Sequence, residues 1–121
     1  MKESAKAFEH LVVWQKAHQF TLATYRLTKQ FPKEEMFGLS LQFKRAAVSI
    51  AANIAEGFRR LGKADKLRFY NIAQGSLSEC RYFLILARDL DYGDTGDMFA
   101  LLKEVSIMLD ALCASILNSD A

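Results

Sequence analysis

The segment Arg45-Ala-Ala-Val-Ser49-Ile50-Ala-Ala-Asn53-Ile54-Ala-Glu56-Gly57 decides how this chain folds. At about 100° per residue, Phe43, Ala47, Ile50, Ile54 and Phe58 gather on one side of a helix, and Arg45, Ser49, Asn53, Glu56 and Arg60 on roughly the other. Ala46, Ala47, Ala51, Ala52 and Ala55 are spread around the cylinder and let neighbouring backbones approach from more than one direction. One helix thus carries an apolar seam, a polar seam and small residues between them, which suits a helix with neighbours on several sides. The polar seam reads in two ways, as a solvated surface face or as a polar network at a contact.

Outward from this segment, apolar residues recur at alternating steps of three and four. Val13, Ala17, Phe20, Thr24, Leu27 and Phe31 form such a stripe, with Trp14, Thr21, Tyr25 and Thr28 beside it, and predict a first helix from about Leu11 to Gln30. Pro32 disfavours helical geometry at Phe31 and closes it. Ser40 reads as the N-cap of a second helix running to about Arg60, which ends near Gly62. A third helix starting between Lys63 and Asp65 carries Tyr70, Ala73, Leu77, Cys80, Leu84 and Ala87 on a strict seam. Beside that seam lie Ile72, Ser76, Phe83, Leu86 and Leu90, with Glu79 in their midst. A single bundle core needs one stripe per helix, so the second stripe points to burial against another subunit. The turn Asp91-Tyr-Gly93-Asp94-Thr95-Gly96 ends that helix, and Asp94 or Thr95 caps a fourth. Met98, Leu102, Val105, Leu109, Leu112 and Ile116 carry it to about Asn118. Four long helices joined by short loops predict an all-α, antiparallel four-helix bundle.

The chain has 121 residues, one domain by length, with 51% hydrophobic and 25% charged residues. One proline and six glycines permit long uninterrupted helices. Residues 1–10 read as a polar lead, ordered only if Phe8 and Leu11 dock on the body, ahead of a bundle domain over 11–118. The N-terminus lacks the apolar core of a signal peptide and no run of 18 apolar residues exists, so the expected address is the cytoplasm, with no membrane partner. Cys80 and Cys113 sit among apolar helical residues and read as reduced core thiols. His10 and His18 lack the Glu-x-x-His companion that a bundle metal site uses, so no metal or other cofactor is expected.

The net charge of +2 hides an asymmetry. Residues 44–68 hold seven cations (Lys44, Arg45, Arg59, Arg60, Lys63, Lys66, Arg68) against Glu56 and Asp65, a balance of +5. Residues 89–121 hold seven acids against Lys103, a balance of −6. Such a split fits a nucleic-acid patch, complementary surfaces between subunits, or solubility alone. No Ser-His-Asp set, phosphate loop or pocketed carboxylate pair is present, which argues against an enzyme.

Phe8-x-x-Leu11-x-Val13-Trp14-x-x-Ala17, Phe31-Pro32, Gly38-Leu39, Asn53-Ile54-Ala55-Glu56-Gly57 and Ala73-x-Gly75-Ser76-Leu77-x-Glu79 resemble, in this order and spacing, the four-helix bundle proteins encoded in intervening sequences of bacterial 23S ribosomal RNA genes. The resemblance covers about residues 8–118. It implies a left-handed up-down-up-down bundle that assembles as a ring-like homopentamer without enzymatic activity. That family is similar in turn to the accessory proteins of diversity-generating retroelements, basic pentameric bundles that bind nucleic acid and a partner reverse transcriptase. Arg45, Ser49, Asn53, Glu56, Ser76 and Glu79 are the polar positions that match. Two positions depart from the pattern: Ala51, near which the family often has proline, and Lys63, where it has a serine cap. The resulting expectation is an oligomeric protein that binds RNA or a nucleoprotein through Lys44, Arg59, Arg60, Lys63, Lys66 and Arg68. The alternative is an assembly scaffold whose basic corner pairs with the acidic fourth helix of a neighbour. Phe69 and Tyr70, beside the corner, read either as base-stacking residues or as core.

Overall fold

The computed structural model describes residues 5–119. Four helices dominate: α1 (Val12–Thr28), α2 (Leu39–Arg59), α3 (Lys63–Asp89) and α4 (Gly96–Leu117), and among the described residues there is no strand. Each helix packs chiefly on two others, α1 on α2 and α4, α3 on α2 and α4. Side-chain pairs fix the directions. Thr21 meets Ala47 and Tyr25 meets Lys44 between α1 and α2; Phe43 meets Phe83 and Ser49 meets Ser76 between α2 and α3. Gln74 meets Asp110 and Arg88 meets Phe99 between α3 and α4. In each pair one number rises as the other falls, so consecutive helices are antiparallel.

The apolar stripes of the sequence converge on the axis. Ala17, Phe20, Phe43, Ala47, Ile50, Ile54, Ala73, Cys80, Leu84, Ala87, Val105 and Leu109 are fully buried. Thr21, Thr24 and Thr28 sit among them, each hydroxyl donating to the carbonyl four residues earlier. Such back-bonding satisfies a buried hydroxyl locally. Cys80 and Cys113 are free thiols, the first buried and the second half-buried.

The helix ends depart from expectation in instructive ways. Ser40 is not the cap of α2: it is buried inside the first turn, and Gly38 holds the N-cap position with no side-chain cap. Glu35 takes the capping task from outside, its Oε1 accepting from the Leu39 N–H at 3.3 Å. The same carboxylate accepts from the Tyr92 hydroxyl at 2.9 Å, which ties the α1–α2 connection to the α3–α4 turn and raises the Tyr92 pKa. In that turn Asp91 adopts φ 60°, the left-handed conformation that Asp tolerates better than most residues. Thr95 precedes α4 without a side-chain cap, and Asp94 Oδ1 accepts from Gly96 N at 3.1 Å instead. α3 begins at Lys63 after an extended Gly62, again without a side-chain cap. The lead is folded where it is described: Phe8–His10 form one 3-10 turn, with Phe8 edge-on to Trp14 at 5.1 Å and Leu11 partly buried against the core.

Candidate nucleic-acid and assembly surface

The site is built on the α2–α3 hairpin, whose helices are joined by residues 60–62 alone. Small residues bring the two helices together. Gly57 is the tightest point, since a Cβ there would lie 2.5 Å from Cε1 of the buried Tyr70 ring. Gly57→Ala therefore sets a gain in helix propensity of about 1 kcal/mol against overpacking of about 1 to 3 kcal/mol. A lowered melting temperature is expected, and Tyr70→Leu in the same chain should recover part of it. An unchanged or raised melting temperature for Gly57→Ala alone would refute the close approach.

Midway along the hairpin, Ser76 Oγ donates to Ser49 Oγ at 2.8 Å, and Asn53 Nδ2 donates to Ser49 Oγ at 3.0 Å and to Ser49 O at 2.8 Å. Ser49, Asn53 and Ser76 are thus one network inside the chain. Outside it, Glu56 and Arg60 pair along α2 at 2.8 Å. Arg45 and Glu79 are both exposed and, among the described residues, neither has an ion-pair partner within 4.0 Å. The second stripe of α3 divides: Ser76 and Phe83 are buried within the chain, while Ile72 and Leu90 remain 43% and 45% exposed. Val48 on α2 and Tyr82 on α3 are also exposed.

The basic corner is less uniform than its sequence suggests. The guanidinium carbons of Arg60 and Arg68 lie 4.6 and 4.5 Å from the Phe69 ring centre, so both cations use the same π cloud. Phe69 is thereby occupied, and Tyr70 belongs to the core. Arg60 Nε is buried without a hydrogen-bond acceptor, leaving the Phe69 ring face as its electrostatic neighbour. Arg68 also reaches Asp65 at 3.5 Å.

Lys66 serves the fold: its Nζ donates to the carbonyls of Gly57 and Phe58 at 3.1 and 2.8 Å in the last turn of α2, joining the Arg60 N–H on the Gly57 carbonyl and supplying a donor to that of Phe58. Burial lowers its pKa. Lys63 Nζ donates to the Ser119 carbonyl at 2.6 Å. Arg59 is exposed and makes no side-chain bond among the described residues. Lys44 stands apart, fifteen residues or roughly 20 Å back along α2, over the Tyr25 ring. Five of the six proposed cations thus share one end of the bundle, and only Arg59 is wholly unengaged. Charge pattern alone names Lys66 as a corner cation but not its bonds to the end of α2, which follow from the shortness of the turn.

Among the described residues no three His, Cys, Asp or Glu side chains are grouped to hold a metal, and no helix is long and apolar enough to cross a membrane. Fold and surface define an all-helical bundle with a polar contact at the heart of its central hairpin. The chain belongs to the 23S rRNA-intervening sequence protein family, whose pattern matches residues 9–113. It is similar to a crystal structure of a protein of unknown function from the S23 ribosomal protein family of Bacteroides thetaiotaomicron. Identity is 27% at a TM-score of 0.75, with 85% of this chain and 96% of that one covered. No curated protein matches it.

Proposed function

We propose that this is a non-enzymatic protein that assembles into a homo-oligomer, most simply the pentamer that the family resemblance implies, and binds RNA or an RNA–protein complex of the reverse-transcriptase kind. The observation that carries the nucleic-acid reading is the Arg60–Phe69–Arg68 stack beside the unengaged Arg59. Stacking fixes two guanidiniums in place, and a fixed guanidinium loses less freedom when it forks a phosphate. Repetition around an assembly multiplies each contact. The assembly reading is supported by Arg45 and Glu79, opposite charges left unpaired beside Ile72, Val48 and Tyr82. A second reading, a scaffold that binds no nucleic acid, draws on the engagement of Lys63 and Lys66 within the chain.

Light scattering and fluorescence-monitored RNA titrations at several salt concentrations separate these readings. The expected mass is several times 13.7 kDa, and Glu79→Ala should lower it. Reversal of Arg59, Arg60 and Lys63 to glutamate should weaken binding to unrelated RNA sequences. It should also flatten the log–log salt dependence by about 2 for each engaged subunit, at roughly 0.7 per phosphate neutralised on a single strand. A monodisperse monomer would refute assembly. Absent RNA binding at about 50 mM salt, or loss of assembly rather than of RNA on charge reversal, would leave the scaffold reading standing.

A further inference from the structure

We propose that the groove between α3 and α4 binds a small phosphomonoester carrying a flat apolar body. This site is on the face of the bundle away from the α2–α3 contact and is independent of the RNA reading. The groove has a volume of about 670 Å³, within the range of small-molecule sites.

Its walls are two matched stripes. On α3, Gln74, Ser78 and Arg81 follow the spacing i, i+4, i+7; on α4, Asp110, Ser106 and Lys103 follow the same spacing in reverse. The bond from Gln74 Nε2 to Asp110 Oδ1, 2.8 Å, fixes the register. In an antiparallel pair Ser78 then shares a rung with Ser106, and Arg81 shares one with Lys103, about 10 Å along from the Gln74–Asp110 rung. All six line the groove, as do Leu77, Leu102 and Phe99.

The cation rung is unusual for its surroundings. Lys103 is the sole cation of residues 89–121, a segment with seven acids, yet among the described residues it pairs with none of them. Its neighbour Glu104 reaches Lys16 instead, at 3.2 Å. Arg81 likewise has no acid within 4.0 Å. The hydroxyls of Ser78 and Ser106 make no hydrogen bond among the described residues. Two like charges that face one another repel, and a dianion between them removes the repulsion. A phosphomonoester, mostly doubly charged at pH 7 with three acceptor oxygens, matches two cations and two hydroxyl donors better than a carboxylate does. The Asp110 carboxylate, held by Gln74 at the far rung, directs the anion to the Arg81–Lys103 end. Phe99 lies at that end, with the Arg88 guanidinium 5.6 Å from its ring centre, and offers the surface for the apolar body.

Calorimetric titration with phenyl phosphate tests this. One saturable site per chain is expected, with inorganic phosphate and phenol each at least tenfold weaker. Arg81→Gln and Lys103→Gln should each lower affinity tenfold or more, as removal of a charge-assisted bond does, while Arg26→Gln, a loss of an exposed cation on α1, should not. All three positions are exposed, so circular dichroism should show the helical fold retained. Absence of saturable binding, equal affinity for inorganic phosphate, or equal losses for Arg26→Gln and Arg81→Gln would each overturn the proposal.

Discussion

Phe43→Ala should cost about 3 to 5 kcal/mol, a large share of the 5 to 15 kcal/mol that typically holds a domain together. Phe43 is fully buried, and its ring stands 6.2 Å from that of Phe20 and 5.8 Å from that of Phe83. Its ring pairs with aromatic rings of both α1 and α3, so its removal opens a cavity that three rigid helices must close. Phe37→Ala is the contrast: the ring is 84% exposed and its loss should change stability by no more than about 0.5 kcal/mol. Urea unfolding of both variants checks this. A loss below about 1 kcal/mol for Phe43→Ala would place the residue outside the core.

Alkaline pH should act on the same core. Burial pushes the Cys80 thiol from 9.0 up to about 12, with the Glu79 charge adding to the shift. Burial likewise pushes the Tyr70 phenol from 10.0 up to about 12, with Cys113 as the lesser cause. Both groups keep their protons in the folded chain at pH values where the unfolded chain has released them. Their contribution is fully present below pH 9 and is lost as pH rises toward 12. At 1.36 kcal/mol per unit, the two together remove roughly 4 kcal/mol by pH 11. Urea midpoints between pH 8 and pH 11 should fall accordingly, and Cys80→Ala should make the fall shallower. A wild-type profile flat to pH 11 would contradict the burial of both groups.

The apolar stripes were legible because burial in a bundle repeats with the helix turn: Val13 to Leu27, Tyr70 to Ala87 and Met98 to Leu109 lie where that period puts them. The helix ends were not. Ser40 has the chemistry of a cap, but Glu35, four residues before Leu39 and on a separate 3-10 turn, reaches the open N–H from outside. That contact depends on the path of the connection, which no periodicity encodes. The basic corner was legible as charge but not as geometry. Nothing local distinguishes Arg59, which is unengaged, from Lys66, which is bound to two carbonyls, until the turn between α2 and α3 is known. The groove escaped for a related reason, since Arg81 and Lys103 become neighbours only through the register that Gln74 and Asp110 set.

The Lys63–Ser119 bond and the docking of Phe8–His10 beside α2 place both ends of the described chain at the corner that holds Arg59 and Phe69. Any polypeptide continuing from either end begins there, and each added residue extends its reach by at most about 3.5 Å. A purification tag or fused domain would therefore start within reach of the guanidinium stack. An acidic tag would act as a tethered competitor for phosphate, and a polyhistidine tag would lend the corner ligands of its own. The opposite end, latched by Tyr92 and Glu35, has no such visitor, so internal labels at exposed Phe37 or Lys33 leave the corner as the fold presents it.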